Sequence, residues 1–163
     1  EYGIESANDK TLKNINRGHD FECSRKAIQK THERGILCCA HVILGLPGED
    51  AEECLKQAKT ISQLPLDILK IHQLQVIKGT KLATQYAEKQ FDVYSVDEYI
   101  QLLAEYIRNL NPNIVLERFV SQSPVDMLIA PKWGLKNYEF TNLFMNYLKD
   151  KNIKQGDSYL TVK

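Results

Sequence analysis

The residues with the clearest chemical potential lie in the stretch HVILGLPGED, residues 41–50, where a histidine interrupts a run of strand-forming residues. Side chains of a strand alternate between its two faces, so His41 shares a face with Ile43 and Gly45. Histidine often serves as an acid, a base or a ligand near neutral pH. A glycine at position 45 lets a ligand approach the backbone, and the Pro-Gly pair that follows makes a tight exit into the next helix. The stretch therefore predicts the ligand-binding end of a strand.

Two further β-rich segments, EYGIES (1–6) and DILKIHQLQV (67–76), carry polar side chains with the same alternation. One face of the predicted sheet is uniformly apolar and suits helix packing. A flat sheet with helices on both faces would bury the charges of the other face at a high cost, whereas a barrel with a polar lumen accommodates them. These lumen residues are Glu1, Glu5, His41, Lys70 and His72, of which Glu1, Lys70 and His72 are our candidates for catalysis.

The elements that must position these residues alternate along the chain. Strands are predicted at 1–6, 36–45, 67–76 and 114–120, and the main helices at 21–34, 49–64, 82–88, 96–110 and 138–150. Segment 124–134 is predicted to be irregular or a single helical turn, and the tail after Lys151 to be loose. Strands that alternate with helices indicate βαβ units and a mostly parallel sheet. The predicted fold class is α/β, a partial (β/α) barrel with its helices outside and its ligand site at the C-terminal ends of the strands.

Composition narrows the class of protein. The 163 residues include 21 Lys and Arg against 21 Asp and Glu, and this balance does not favour a nucleic-acid or anionic-membrane surface. We see no membrane-spanning run and no secretory leader, so we expect a cytoplasmic protein. Because the chain begins at Glu1 without a methionine, we interpret it as part of a longer protein. The four cysteines lack CxxC spacing and are expected to be reduced and buried, namely Cys23, Cys38, Cys39 and Cys54.

Three motifs in order carry a family resemblance over residues 1–85. EYGIES with TLKNINRGH, then HVILGLPGE, then VIKGTKLA resemble the later half of radical S-adenosylmethionine (SAM) enzymes. The chain looks most like uncharacterised bacterial Fe–S oxidoreductases related to the elongator-type and oxygen-independent coproporphyrinogen dehydrogenase proteins. RFVSQSPVDMLIAPKW, residues 118–133, resembles the C-terminal extension of the same group. The resemblance implies that residues 1–90 form the C-terminal half of a radical SAM barrel and that residues 91–163 form an extension packed on it.

The resemblance also implies roles in binding SAM. Glu5 and His41 match polar positions that face the ribose, and Arg17 matches the arginine that pairs with the methionyl carboxylate, a task suited to a bidentate guanidinium. Three further residues match family positions that pack against adenine, namely Ile43, Gly45 and Leu74. The implied cofactors of the complete protein are SAM and an iron–sulfur cluster, and its implied partners are an electron donor and an unknown substrate.

One departure from the family pattern limits what this chain does alone. The family holds its cluster in a CxxxCxxC loop, and no such spacing occurs here. We therefore assign no metal ligands, expect neither cofactor to be bound to this chain alone, and predict that it cannot cleave SAM by itself. A strand edge left bare by the absent strands also predicts that the isolated chain associates with itself.

Alternative interpretations remain open at this stage. His41, His72 and Glu5 are plausible zinc ligands of a metal-dependent hydrolase, although HxH and HExxH spacings are absent. A non-catalytic interaction domain is a third interpretation. Lys70 with His72 is equally compatible with an internal polar network that binds nothing, and Trp133 is more readily explained as a packing residue.

Overall fold

A four-stranded parallel sheet in the order β1-β2-β3-β5 forms the centre of the molecule. The computed structural model describes residues 1–160. The strands are β1 (Tyr2–Glu5), β2 (Cys39–Leu44), β3 (Ile68–Gln73), β4 (Val76–Ile77), β5 (Val115–Arg118) and β6 (Leu128–Ala130). The helices are α1 (Asp9–Asn14), α2 (Phe21–His32), α3 (Ala51–Ile61), α4 (Lys81–Ala87), α5 (Val96–Arg108) and α6 (Asn137–Asp150). The alternation of strands and helices confirms the predicted α/β class with a mostly parallel sheet.

Helix starts follow from short polar side chains that accept the unpaired backbone N–H groups of the first turn. Asn8 accepts from the amides of Lys10 and Thr11, and Asp50 accepts from the amide of Glu53. Ser95 and the side chain of the third residue of α5 form a reciprocal capping box. The caps of α3 and α5 confirm the predicted beginnings of these two helices.

The apolar core lies between the sheet and the helices. On β2, the side chains of Ala40, Val42 and Leu44 are fully buried, whereas those of His41 and Ile43 on the opposite face remain partly exposed. The helix side of the core is filled mainly by α3, α5 and α6, with Tyr99, Tyr106, Phe140 and Phe144 among its largest buried side chains. The predicted division into one apolar and one polar face is therefore confirmed for the central strands.

Segment 124–134 differs from its prediction, because it contains β6. This strand pairs antiparallel with β4, with Val76 opposite Ala130. The pairing partners are about fifty residues apart in the sequence, so the pattern within the segment gave no sign of it. Trp133 follows and donates its indole N–H to the carbonyl of Tyr94 at 3.0 Å. Its ring also packs against Tyr99 and Phe140, so Trp133 is a packing residue.

The tail after Lys151 is not loose as far as residue 160. The amides of Gly156 and Ser158 donate to the carbonyls of Ile107 and Arg108 at 3.0 and 2.8 Å. These carbonyls lie in the last turn of α5, where the carbonyl of Ile107 also accepts from the amide of Leu110 at 3.2 Å. Residues 161–163, the last part of the predicted tail, lie outside the described residues. None of the helices within residues 1–160 has the length and apolar character needed to cross a membrane.

Candidate functional site

Parallel register brings four of the predicted lumen residues together on one face of the sheet. Gly3 lies opposite His41, His41 opposite Lys70, and Ile43 opposite His72. Because these partners are aligned across adjacent strands, their side chains leave the sheet on the same side. The result is one contiguous polar cluster formed by Glu1, His41, Lys70 and His72.

An ion pair between Glu1 and Lys70 forms the deep end of this cluster. Lys70 Nζ lies 2.6 Å from Glu1 Oε1 and 3.2 Å from Glu117 Oε1. The hydrogen bond from Lys70, followed by the one from His41, lowers the pKa of Glu1 to about 2. The hydrogen bond to Glu1 raises the pKa of Lys70 in turn. Lys70 is only 8% exposed, so its charge requires these carboxylates as partners.

The two histidines form a stacked pair next to this ion pair. His41 Nε2 lies 2.9 Å from Glu1 Oε2, and His41 Nδ1 lies 3.2 Å from His72 Nε2. Their ring centroids are 5.3 Å apart and their planes differ by 8°. Burial, followed by the proximity of His41, lowers the pKa of His72 to about 4, so His72 is neutral at neutral pH. Because both nitrogens of His41 are engaged, a ribose in contact with this residue meets its ring face or displaces one of these partners.

Glu5 adopts a backbone conformation that is rare for a residue with a side chain. Its φ is +63°, and the amide of Ser6 donates to the carbonyl of Ile4 at 2.8 Å, which closes a tight turn around Glu5. Such a turn is strained. Strain of this kind persists where the surroundings enforce it, and it is concentrated at functional positions. The register of β1 against β2 also shifts between Gly3 and Glu5.

Arg17 lies beside this turn and holds the backbone of β1. Its Nη2 atom donates to the carbonyl of Gly3 at 2.7 Å and lies 3.8 Å from Glu5 Oε1. A Cβ at Gly3 would collide with the Glu5 carboxylate and lie 3.0 Å from Arg17 Nη2, so a larger residue here would have to displace these side chains. Arg17 Nε is buried and finds no hydrogen-bond partner within residues 1–160. The guanidinium therefore has an unused donor close to the Glu5 carboxylate.

A buried polar network behind the turn joins the exits of β1 and β2. Ser6 Oγ donates to Glu49 Oε1 at 2.5 Å, and Gln57 Nε2 donates to Glu49 Oε2 at 2.7 Å. The amide of Ala7 donates to Gln57 Oε1 at 3.2 Å. Burial raises the pKa of Glu49, which these donors oppose. Sequence reasoning treated Glu49 only as a helix start and missed Ser6 and Gln57; the acid placed directly after GLPG was the available signal.

A cavity of about 1030 Å³ opens along the C-terminal ends of β1, β2 and β3. Three loops supply the rest of its wall: residues 14–16, residues 46–48 and the region around α4. The predicted site residues that line it are Glu1, Glu5, His41, Ile43, His72 and Leu74. Arg17, Gly45 and Lys70 are not part of its lining. The roles assigned to all of these residues in binding and catalysis stay predictions.

Gly45 is explained by its own backbone and by a neighbouring tyrosine. Its φ is +87°, a conformation that favours glycine. A Cβ here would lie 2.9 Å from Cε2 of Tyr94, inside van der Waals contact. The glycine therefore permits the close approach of Tyr94, and its predicted contact with a ligand stays a prediction.

The cysteines of this chain do not fit an iron–sulfur cluster. Cys23 is exposed on α2, Cys38 and Cys54 are buried in the core, and Cys39 lies on the lumen face of β2. Within residues 1–160, one group has the spacing of metal ligands, and it consists of Glu1, Cys39 and His41. The Lys70 ammonium already occupies Glu1 Oε1, which disfavours a second cation there. Glu5 and His72 do not belong to this group, and the hydrolase interpretation stays a prediction.

The chain matches two family models in succession. The model described as the radical SAM superfamily matches residues 1–61, and the model of the radical SAM C-terminal domain matches residues 66–150. Together with the parallel sheet and the cavity at its C-terminal edge, these matches establish the class. The chain belongs to the radical SAM superfamily.

Two relatives and one solved structure agree with this assignment. The chain is 37% identical over 157 residues to the uncharacterized protein MJ0486 of Methanocaldococcus jannaschii, with 96% of this chain and 49% of that protein covered. It is 31% identical over 156 residues to the uncharacterized protein YtqA of Bacillus subtilis, with 96% and 48% covered. The chain thus spans about half the length of these relatives. The structure of Methanocaldococcus infernus Elp3 with an N-terminal deletion superimposes with a TM-score of 0.83 at 24% identity, covering 94% of this chain and 36% of that one, and shows the same fold.

Proposed function

We propose that this chain is the S-adenosylmethionine-binding wall of a radical SAM enzyme of the oxidoreductase or group-transfer type, whose substrate is unknown. When bound, SAM and an iron–sulfur cluster supply an adenosyl radical that abstracts hydrogen from the substrate. The cluster ligands lie outside this chain, because its cysteines do not fit them. The contribution of this chain is to bind and orient SAM and to exclude water from it.

The wall of the cavity offers complementary groups for the parts of SAM. Ile43 and Leu74 provide apolar surface for a flat base such as adenine. The Glu5 carboxylate accepts hydrogen bonds, which suits the two hydroxyls of a ribose. Arg17, whose side chain is 34% exposed beside the same turn, suits a carboxylate.

The observation that carries this proposal is the strained turn at Glu5. A side chain held at a φ of +63° directs its carboxylate to the rim of a cavity of about 1030 Å³. A structural role alone would be served as well by glycine at this position, without strain. The buried network at Ser6 and Glu49 holds the turn in place. Binding of a ligand by Glu5 accounts for the strain.

The proposal is tested by calorimetric titration of the complete protein with SAM and with S-adenosylhomocysteine. We expect binding of both, and we expect Arg17→Ala to weaken it by roughly 1.5–3 kcal/mol, the size of a hydrogen bond to a charged group. Cys38→Ala is the matched control, because Cys38 is buried on the helix side of β2 and contacts the carbonyls of Ile28 and Ile36. Absence of binding by the wild-type protein, or equal losses in the two variants, would contradict the proposal.

A further inference from the structure

For a neutral His41, its hydrogen bonds imply the positions of two protons. The ionised carboxylate of Glu1 only accepts, so His41 must donate from Nε2. A neutral His41 then has an acceptor at Nδ1, and the group facing it is His72 Nε2 at 3.2 Å. His72 therefore donates from Nε2, and its Nδ1 atom carries the free lone pair. Within residues 1–160, His72 Nδ1 has no hydrogen-bond partner, although His72 lines the cavity.

The position of His72 indicates what meets this lone pair. His72 lies on β3, and Leu74 follows two residues later, just beyond the end of the strand; both line the cavity. If the adenine contacts Leu74, His72 faces the space beneath the adenosyl group. If the proposed function holds, this part of the cavity is the space left for the substrate, and in this respect the inference rests on the proposed function.

We propose that Glu1, His41 and His72 form a hydrogen-bonded relay that makes His72 Nδ1 the proton acceptor for a substrate hydroxyl or amine at the base of the cavity. The proton leaves the substrate oxygen or nitrogen and binds His72 Nδ1, while the proton on His72 Nε2 moves to His41 Nδ1. His72 is again neutral, and His41 becomes an imidazolium beside the Glu1 carboxylate. One proton enters the relay and one positive charge appears on it, so charge and atoms balance.

Lys70 determines where that charge stops. Its ammonium, 2.6 Å from Glu1 Oε1, keeps the carboxylate ionised, so the proton stays on His41 and does not pass to Glu1. The other charged groups near His72 are Arg118, on β5, and Lys70 itself, and both disfavour a cation on His72. A positive charge is therefore better placed on His41, beside the carboxylate. This asymmetry gives the relay its direction, away from the substrate.

The relay is tested by nitrogen NMR of the complete protein with labelled histidine, which reports the nitrogen that carries the proton in each ring. Near pH 7.5 we expect His41 and His72 to carry it on Nε2 with roughly tenfold preference, the scale of one hydrogen bond. His32, which is exposed on α2, serves as the reference for an unconstrained ring. A His72 ring protonated on Nδ1 would overturn the proposal.

Two variants separate a relay from a stacked pair with incidental contacts. His41→Phe keeps an aromatic ring beside His72 but removes the acceptor of the His72 Nε2 proton. The preference of His72 for a proton on Nε2 over Nδ1 should therefore fall to within about threefold. Glu1→Gln replaces a half-exposed carboxylate, and Glu117 remains as the carboxylate partner of Lys70. It should reduce the preference of both rings for a proton on Nε2. Unchanged preferences in both variants would contradict the relay. Failure of the same wild-type sample to bind SAM would contradict the proposed function instead, and the NMR result on the relay would stand.

Discussion

The Ser6 hydroxyl donates a 2.5 Å hydrogen bond to Glu49 Oε1 and thereby joins the end of β1 to the loop after β2. Ser6 follows the strained turn at Glu5, and Glu49 follows the Gly-Leu-Pro-Gly exit of the neighbouring strand. The two residues are 43 positions apart in the chain. The bond therefore links the two loops that form one side of the cavity mouth.

Removal of the Glu49 carboxylate should destabilise the fold. Glu49 is 8% exposed and accepts from both Ser6 and Gln57, so Glu49→Ala leaves two buried groups without a partner. We expect the free energy of unfolding, measured with urea, to fall by roughly 2–3 kcal/mol. Glu52→Ala, at an exposed position of α3, should change it by no more than about 0.5 kcal/mol. Similar losses in the two variants would show that the network does not stabilise the fold.

The variant Glu5→Gly should lower the affinity for SAM without lowering the stability of the fold. Glu5→Gly removes the strain of a positive φ, so the free energy of unfolding should stay constant or rise by up to about 1 kcal/mol. The affinity for SAM should fall at least roughly tenfold, because the carboxylate is lost. Lys89→Gly is the matched control, since Lys89 is exposed and has a φ of +56°. It should have the same effect on stability and none on affinity; a Glu5→Gly protein that binds SAM normally would contradict our assignment.

His72 should make stability depend on pH in a defined window. Its folded-state pKa of about 4 lies below the ordinary value of 6.5, so the unfolded chain binds the proton more readily. Stability from this source is complete above pH 6.5 and is lost as the pH falls towards 4. Between pH 7 and pH 5 we expect a loss of about 1–2 kcal/mol after allowance for solvent screening. Thermal unfolding over this range checks the value, and His72→Phe should have a flatter profile; an identical slope in the variant would exclude His72 as the source.

Self-association of the isolated chain should occur through β1. Within residues 1–160, β1 is an edge strand of the parallel sheet, and one of its edges has no partner. Such an edge is a template for pairing with a second chain, and two-fold pairing closes it. Because Glu1 and Glu5 carry charge at this edge, we expect a dimer and no fibres. Light scattering during size exclusion, at several concentrations, measures the mass; a monomer at every concentration would contradict this expectation.

The sequence was sufficient for the features that depend on local periodicity. Alternation along β2 and β3 placed His41, Lys70 and His72 on one face, because successive side chains of any strand point to opposite sides. Capping residues located helix starts for the same local reason. The features it missed depend on partners that are distant in the chain. Pairing of β4 with β6, the contact of Gly45 with Tyr94 and the bond from Ser6 to Glu49 are set by tertiary packing, which no local window contains.

The backbone conformation of Glu5 was not predicted for a different reason. Glutamate has no special preference for a positive φ, so no property of the residue itself indicates the turn. Only the packing of Arg17 on Gly3, together with the network behind Ser6, enforces it. The sequence identified Glu5 as a site residue by its resemblance to a family, and the structure supplies the physical reason why its carboxylate points to the cavity.

The hydrogen bonds from Gly156 and Ser158 to the end of α5 bear on where the folding unit stops. The radical SAM C-terminal family model ends at residue 150, yet the next ten residues donate two hydrogen bonds to the last turn of α5. An expression boundary placed at the end of the family match would remove both of these hydrogen-bond donors. A fluorophore or affinity tag should therefore be attached at a position that leaves Gly156 and Ser158 in place.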